Sequence, residues 1–263
     1  MRILKFFAIL PLAGFLILEQ GFAAEAWQEL KGDHFIIYYV NDDTFAKDVL
    51  RSAERYYRNI GQDLGYTRHS DFWQWDKRVK IYIHATQEEF VKETGRNNWS
   101  HGFADYTAKE IHSYAWNQGF LDSLLPHEIT HLIFRDYVGF KGEVPLWLDE
   151  GVAQWEEPEK RRIARAVMKS YLINDYAYPL VHLCQLDIRN VNVEFAVRLF
   201  YTQSISIIEF LVTRYGTDKF IIFCRELRDG KNLEEALKFS YPTNIRNLKD
   251  LEEQWKSHVL EAS

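Results

Sequence analysis

The chain has 263 residues, of which 47% are hydrophobic and 27% are charged, and its formal net charge is −6. This apolar content with a small net charge excludes intrinsic disorder, and the acidic balance argues against a nucleic-acid-binding protein. Two cysteines, Cys184 and Cys224, are too few for a disulfide-rich scaffold. They are compatible either with one disulfide or with two free, buried thiols.

The first 23 residues have the pattern of a secretory signal peptide. A short basic start precedes an uncharged apolar run over residues 6–18, which is shorter than the roughly 20 residues that span a bilayer. The small residues Gly21 and Ala23 favour cleavage before Ala24. We therefore expect an exported bacterial protein, periplasmic or extracellular, without a stable membrane span after cleavage. An uncleaved N-terminal anchor is the alternative.

The first half of the mature chain predicts a small sheet with two helices. Runs of β-branched, aromatic and alternating residues predict strands near residues 34–40, 78–84, 102–107 and 110–115. Apolar residues at helical spacing predict helices over residues 45–64 and 87–94. We expect these elements to form a β-rich lobe over about residues 24–118.

The second half is nearly all helical by the same criterion, and no segment in it looks apolar enough to span a membrane. Helical spacing covers residues 121–138, 145–173, 193–215, 217–228, 231–239 and 246–261. We therefore predict an α+β fold with a helical lobe over about residues 119–263, both lobes belonging to one domain over 24–263. A cleft between two such lobes is a common place for a functional site.

One stretch, LPHEITHL, carries a metal-binding pattern. His127 and His131 are one helical turn apart, so a helix would place both imidazoles on one face, where both can bind one ion. Glu128 would lie beside them, positioned to take a proton from a zinc-activated water during attack on a carbonyl. With Ser123 as the helix N-cap, Pro126 would fall in the first turn, where its missing N–H costs no hydrogen bond.

A catalytic zinc ion needs a third protein ligand and one open position. Glu150, in the stretch WLDEGVAQW, lies far enough beyond His131 for a helix end, a turn and a second helix that begins at Pro145. Gly151 would let this second helix approach the first closely. These residues predict one Zn²⁺ per chain, although two histidines and one carboxylate also suit iron or cobalt.

These motifs resemble the gluzincin clan of metallopeptidases, in which HExxH is followed by a glutamate in an EGxA setting on the next helix. The succession of LPHEITH, PLWLDEGVA and YTQS ahead of YG is similar to the bacterial peptidase-MA-like family. The resemblance implies a zincin-like fold, with a mixed sheet in the N-terminal lobe and the active-site helix between the lobes. It also implies that His127, His131 and Glu150 bind zinc, and that Glu128 is the general base.

The resemblance raises further expectations for the cleft. Gluzincins use a tyrosine or histidine of the helical lobe to stabilise the oxyanion, and Tyr201 is the candidate here, with a core tyrosine as the alternative. A strand ahead of the metal helix would pair with an extended peptide substrate, and Gly102, Phe103 and Ala104 lie at a suitable distance. The alternative is an ordinary sheet strand. His101, next to this strand, is a candidate for lining the cleft.

The residues that would orient the histidines depart from thermolysin-type gluzincins. Those enzymes carry an aspartate four residues after the glutamate ligand, whereas Gln154 stands at that position here. An amide accepts a hydrogen bond from an imidazole N–H more weakly than a carboxylate does. Asp149 is a substitute, but because it precedes the ligand we expect it to point elsewhere on the helix.

The leading prediction is a zinc metallopeptidase that acts on peptides or proteins outside the cytoplasm, with an endopeptidase favoured. An aminopeptidase of the same clan is an alternative, in which Asp105 would hold the free amine, but the surrounding motif is absent. A non-catalytic, zinc-stabilised binding or assembly factor is a second alternative. Glu128 argues against it, since a protein that only binds metal has no use for this carboxylate. The sequence predicts no nucleic-acid partner, and it does not predict the oligomeric state.

Overall fold

The structure is a computed structural model that describes residues 27–65, 73–98, 100–116, 119–139 and 144–261. Within these ranges the chain forms five β-strands and ten α-helices. The predicted signal peptide and its cleavage site before Ala24 lie outside the described residues.

The N-terminal part contains a five-stranded mixed sheet. Its strands are β1 (Gln28–Lys31), β2 (Phe35–Tyr39), β3 (Val79–His84), β4 (Gly102–Asp105) and β5 (Glu110–Tyr114), in the order β1-β2-β3-β5-β4. The three central strands are parallel, and the edge strands β1 and β4 run antiparallel to their neighbours. The sequence predicted β2 to β5 to within about two residues. It missed β1, which is short and mostly exposed, so that no apolar alternation marks it.

Alternation along the strands separates a buried face of the sheet from a half-buried one. Phe35, Ile37, Val79 and Ile81 are fully buried, whereas the residues between them are half-buried. Helix α1 (Asp43–Asp63) packs against β2. Helix α2 (Gln87–Thr94), which the sequence predicted with the same bounds, packs against β3 and β5.

Helices build the C-terminal part. They are α3 (Leu125–Val138), α4 (Leu146–Trp155), α5 (Pro158–Ile173), α6 (Leu180–Leu183), α7 (Glu194–Tyr215), α8 (Thr217–Arg228), α9 (Leu233–Ser240) and α10 (Leu248–Glu261). The prediction of one helix over 145–173 was wrong. Glu157 is extended, with φ −91° and ψ 107°, because a residue before proline is disfavoured in the helical region, and the break separates α4 from α5. The short α6 was not predicted.

Helix α7 lies at the centre of the helical part, in contact with α4, α5, α8 and α10. By length and composition it is the one described helix that would be able to cross a membrane, contrary to the expectation that no later segment is apolar enough. Of its most apolar window, 61% is buried inside the fold, as expected for a core helix. The sequence reading overlooked how apolar this helix is, and its apolar residues are explained by contacts with four neighbouring helices.

Helices α4 and α7 approach each other closely at Gly151. A Cβ atom at Gly151 would lie 2.8 Å from the carbonyl oxygen of Ser204 and 2.9 Å from Cγ1 of Ile208, so only glycine fits there. The sequence attributed Gly151 to an approach between the two metal-binding helices, and this partner was wrong. The glycine brings α4 against α7 instead.

Helix α3 joins the two parts, because it packs against α1 and β4 as well as against α4 and α8. It also begins differently from the prediction. A π-helical turn over Phe120–Leu124 leads directly into α3, so Ser123 lies inside a helical turn and is not the N-cap. Pro126 does lie in the first turn of α3, as predicted. The mixed sheet with mostly C-terminal helices confirms the predicted α+β, zincin-like fold.

Both cysteines are free thiols in this fold. Nε1 of Trp147 donates a hydrogen bond to Sγ of Cys184 at 3.3 Å. Cys224 is fully buried in the core, where burial raises the pKa of its thiol far above the usual range. The sequence was compatible with one disulfide or with two free thiols, and the structure shows two free thiols.

Candidate metal centre

Two imidazoles and one carboxylate converge between α3 and α4. Nε2 of His127 lies 3.1 Å from Nε2 of His131, and Oε2 of Glu150 lies 3.5 Å and 3.6 Å from these two atoms. A tetrahedral ion with ligands at about 2.0–2.1 Å has ligand atoms about 3.3–3.4 Å apart, so this triangle fits an ion of the zinc type. Within the described parts of the chain, this is the one His, Cys, Asp or Glu group with ligand atoms close enough to hold a metal ion.

Local sequence explains how the three donors meet. His127 and His131 share one face of α3 because they are separated by one helical turn. Gly139 ends α3 with a φ of +78°, a conformation that favours glycine. Pro145 is the N-cap of α4, which places Glu150 in the middle of that helix, opposite the two histidines. The convergence therefore needs both helices and the connection between them.

Glu157 orients His127. Its Oε1 atom lies 2.9 Å from Nδ1 of His127, and its side chain is 2% exposed. The same carboxylate accepts hydrogen bonds from Ser123 and from Nζ of Lys160, the latter at 2.7 Å. A carboxylate at Nδ1 places the imidazole proton there and leaves the Nε2 lone pair directed at the centre. The sequence missed this role, since Glu157 is distant along the chain and marked only by the acidic pair before Pro158.

Asp149 faces His131, which corrects the expectation that it would point elsewhere. Its Oδ1 atom lies 3.3 Å from Nδ1 of His131, and its Oδ2 atom accepts hydrogen bonds from Nη2 of Arg135 at 2.7 Å and from Nε at 3.2 Å. Asp149 and Glu150 are adjacent on α4, and both side chains point towards α3, where they meet the histidines. Gln154 is buried but, among the described residues, makes no hydrogen bond to either imidazole.

Opposite charges shift the pKa values at this centre. Burial opposes ionisation of Glu150, but the attraction of His131 and hydrogen bonds from both imidazoles outweigh burial and hold the Glu150 pKa well below its usual range. Burial likewise opposes protonation of His131, yet Asp149 and Glu150 raise its pKa well above the usual value. The carboxylates of Asp149 and Glu150 thus favour a positive charge at the centre, either as a proton on His131 or as a bound cation.

Glu128 lies beside the donors without belonging to their triangle. Burial raises the pKa of its carboxyl, and the neighbouring imidazoles of His127 and His131 oppose this shift. The backbone N–H of Ala104 on β4 makes a smaller contribution, which lowers the pKa. A half-buried carboxyl with a raised pKa, next to a metal-type centre, is suited to accept and return a proton.

A cavity of about 440 Å³ opens beside His127 and Glu128, and we call it the catalytic cavity. Its lining also includes His101, Trp116, Ser123, Leu124, Gln154, Glu157, Lys160 and Tyr201. Helix α7 thus brings Tyr201 to the cavity, where burial and the charge of Glu150 raise the pKa of its phenol beyond the normal range. The ring of His101 stacks on Trp116 with 4.7 Å between their centroids. Both residues thus line the catalytic cavity, and the role of Tyr201 in stabilising an oxyanion stays a prediction.

The predicted substrate strand is β4, at the edge of the sheet and in contact with α3. A Cβ atom at Gly102 would lie 2.8 Å from Cδ1 of Leu124, a cavity residue, so the backbone runs close to the site there. The ring of Phe103 instead stacks on His112, with centroids 5.2 Å apart, on the face of the sheet that α2 partly covers. The backbone of Gly102, Phe103 and Ala104 thus lies near the centre, while the Phe103 side chain points away.

Tyr106, in the turn after β4, is a second phenol near the centre that the sequence did not predict. Its ring centroid lies 6.1 Å from that of His131 in an edge-on arrangement, and the guanidinium of Arg135 lies 5.9 Å from the Tyr106 ring. Burial raises the pKa of Tyr106, and His131 opposes the shift. Nothing in the local sequence separates this residue from the other tyrosines, since only the fold brings the turn after β4 towards α3.

The fold is a mixed α+β architecture, and His127, His131 and Glu150 form a group that could hold a metal ion. A sequence model of the peptidase MA superfamily matches residues 70–261, from before β3 to the end of α10. The chain belongs to the peptidase MA superfamily, which confirms the family resemblance and the metallopeptidase class. No curated protein gives a significant match to this chain.

Proposed function

We propose that this protein is an exported, zinc-dependent endopeptidase that hydrolyses peptides or proteins outside the cytoplasm. The observation that carries the proposal is the triangle of His127, His131 and Glu150, with edges of 3.1, 3.5 and 3.6 Å and with Glu128 beside it. The donor atoms have the spacing of a zinc site, and Glu128 has no need to be there for metal binding alone. Family membership supports the class of reaction.

The residues of the chain divide the reaction between them. Zinc held by the three donors would supply a Lewis acid that polarises the scissile carbonyl and the attacking water. Glu128 takes the proton of that water as its oxygen attacks, and then returns a proton to the leaving amine. The phenol of Tyr201 donates a hydrogen bond to the carbonyl oxygen as negative charge develops there. Glu157 and Asp149 keep the imidazoles oriented throughout.

The edge strand β4 aligns the substrate in this proposal. Its described pairing is with β5, in the register Gly102 to Ser113, and the N–H of Ala104 interacts with Glu128, so an extended peptide would pair with the other edge beside the centre and compete for this N–H. Main-chain hydrogen bonds from a strand provide affinity without requiring a particular side chain. This mode needs the β4 backbone alone, in keeping with a Phe103 ring that faces away from the site.

Asp105 supports an endopeptidase over an aminopeptidase. Its Oδ1 atom accepts hydrogen bonds from the backbone N–H groups of Thr107 at 2.8 Å and Ala108 at 2.9 Å, which caps the turn after β4. The side chain is exposed and does not line the catalytic cavity. Asp105 is thus engaged in the turn, whereas an aminopeptidase needs a carboxylate that meets the free amine of the substrate.

Export rests on the N-terminal sequence pattern, a basic start followed by an apolar run and small residues before Ala24. We propose a periplasmic or extracellular location, where the substrates are peptides or proteins. Fractionation of the producing cells, with mass measurement of the mature chain, tests this. A full-length chain retained in the membrane would contradict cleavage.

The decisive experiment is digestion of a peptide library by the purified protein, read by mass spectrometry. The wild type is expected to cleave internal bonds, and Glu128→Gln is expected to bind about one zinc per chain without cleaving. Glu159→Gln, at an exposed position of α5, is the matched control and should cleave like the wild type. Equal cleavage by Glu128→Gln would contradict the mechanism, and cleavage confined to N-terminal residues would favour an aminopeptidase.

The ligand assignment has its own test. Glu150→Ala removes the carboxylate of the triangle, so we expect most of the zinc to be lost while the circular dichroism spectrum stays helical. Metal content by mass spectrometry of the purified variant measures this. Stoichiometric zinc in Glu150→Ala would refute the assignment of Glu150 as a ligand.

A further inference from the structure

A second cavity of about 310 Å³ opens between α5 and α7, and we call it the side pocket. Its aliphatic lining consists of Ile163, Ala164 and Val167 from α5 and Ile205 from α7. An apolar cavity of about half this volume accommodates a benzene molecule in other proteins. The side pocket is therefore large enough for one aliphatic or aromatic side chain.

The side pocket adjoins the catalytic cavity. Gln154, Lys160 and Tyr201 line both. Tyr201 is also the residue to which we assign the hydrogen bond to the scissile carbonyl. A peptide held with that carbonyl at the metal centre therefore has a side chain of a neighbouring residue next to the side pocket.

The side pocket also presents apolar surface that a substrate can cover. Ile163 is 44% exposed although it lies on a helix that packs against α7, whereas Ala164 next to it is 2% exposed. Burying apolar surface contributes roughly 25 cal/mol per Å², so an aliphatic substrate side chain gains affinity here. Ile163 thus supplies exposed apolar surface in the lining of the side pocket.

The charges of the side pocket decide which side chains it rejects. Both charged residues in its lining, Lys160 and Arg198, are cations, and no carboxylate belongs to the described lining. Lys160 bonds to Glu157 at 2.7 Å, so that carboxylate is already engaged. A lysine or arginine of a substrate would lose its hydration without gaining an acidic partner, which is unfavourable.

We propose that the side pocket is the specificity site of the enzyme. It binds a large, uncharged apolar side chain of the residue next to the scissile bond and rejects lysine and arginine. This inference rests on the proposed function, because it places the scissile carbonyl at the metal centre. It adds the class of substrate, polypeptides with an aliphatic or aromatic residue at one fixed position beside the cleaved bond.

Cleavage of a peptide library measures this preference directly. The wild type is expected to favour Leu, Ile, Met or Phe at one position beside the bond, and Ala164→Phe, which fills the pocket, is expected to shift the preference to Gly and Ala. For a matched peptide pair, kcat/KM on the leucine peptide should fall at least about tenfold in Ala164→Phe, with the glycine peptide little changed. Absence of a preference in the wild type, or an unaltered preference in the variant, would overturn the proposal.

A second variant covers the case in which Ala164→Phe does not fold. Ile163→Asp places a carboxylate at a partly exposed position of the pocket, so it should weaken selection for apolar residues and admit lysine or arginine. Ile173→Asp is the matched control, since Ile173 lies on the same helix, is 68% exposed and does not line the pocket. Equal specificity of the two aspartate variants would contradict the assignment.

Failure of the proposed function is distinguishable from failure of this inference. If the wild type cleaves no peptide, the proposed function fails, and the side pocket is then tested by binding alone. Saturation-transfer NMR with N-acetyl-leucinamide and N-acetyl-glycinamide on Glu128→Gln should show saturation of the leucine methyl groups. Ile163→Asp in that background should abolish the effect and Ile173→Asp should keep it. No leucine saturation, or the same saturation in both double variants, would overturn the inference.

Discussion

Nδ1 of His127 lies 2.9 Å from Oε1 of Glu157, thirty residues further along the chain. The contact joins the first turn of α3 to the N-cap of α5, across the break that Pro158 imposes. In thermolysin-type enzymes the carboxylate that orients a histidine ligand lies on the same helix as the glutamate ligand. In this protein the residue that orients one histidine comes from the next helix junction.

We expect Glu157→Gln to weaken metal binding by about 10- to 100-fold, because an amide holds the imidazole proton at Nδ1 less strongly than a carboxylate. Competition with a chromophoric zinc chelator measures the affinity. The fold should persist, since glutamine keeps the shape of the side chain, although its single oxygen can replace only one of the two that accept from Ser123 and Lys160. Glu159→Gln is the control and should bind zinc like the wild type. If Glu157→Gln also keeps the wild-type affinity, Glu157 does not support the metal centre.

Tyr201 and Tyr106 are two phenols near the centre, and substitution separates their roles. If Tyr201 stabilises the oxyanion, Tyr201→Phe should lower kcat by about 10²- to 10³-fold with little change in KM. Tyr106→Phe, which preserves the ring beside His131, should leave kcat within a few fold. Steady-state kinetics on one cleaved peptide checks both. The opposite ranking of the two variants would transfer the role to Tyr106.

Glu156 predicts an unusual pH dependence of stability. Its Oε1 atom is buried without a hydrogen-bond partner, and burial, assisted by the charge of Asp63, raises the pKa of its carboxyl to about 7. Between about pH 4.5 and pH 7 the folded chain therefore holds a proton here that the unfolded chain releases. Consequently the free energy of unfolding should fall as pH rises through this interval, by up to about 3 kcal/mol from this one group.

Glu156→Gln removes this titration, so its free energy of unfolding relative to the wild type should rise between pH 5 and pH 8. Urea unfolding at the two pH values measures the difference. Glu159→Gln, at an exposed position nearby, should show no such gain. A Glu156→Gln variant whose relative stability is the same at both pH values would contradict the raised pKa.

Gly151→Ala tests the approach of α4 to α7. In a helix interior alanine is ordinarily more stable than glycine by about 1 kcal/mol. Here the added Cβ atom would meet the Ser204 carbonyl oxygen at 2.8 Å, so we expect a loss of about 1–3 kcal/mol instead. Urea unfolding measures the free energy of unfolding of Gly151→Ala relative to the wild type. A more stable variant would contradict the expectation and show that the two helices have room to separate.

Much of the local structure follows from the sequence alone. Strands β2 to β5 and most of the helices appear as apolar periodicity, which the backbone geometry of each element dictates. The same geometry places His127 and His131 on one face, because residues four apart on a helix always share a face. The sequence reading failed at β1, which no periodicity marks, and at α7, which is apolar and long enough to span a membrane although no such segment was expected.

The surroundings of the metal centre depended on the tertiary structure. Residue types and spacing identified His127, His131, Glu128 and Glu150, since a short motif and one helix–turn–helix step bring them together. They did not identify Glu157 as the partner of His127. Nor did they show that Asp149, which was expected to point away, faces His131.

Spacing along the chain therefore determined the pattern of donors, and the packing between helices decided which carboxylates meet the imidazoles. Contacts within one helix are set by its backbone geometry and can be predicted from the sequence. Contacts between helices depend on their relative rotation and separation, which the whole core sets, as when Gly151 draws α4 towards α7 and not towards α3. For the same reason the side pocket between α5 and α7 is visible only in the folded chain.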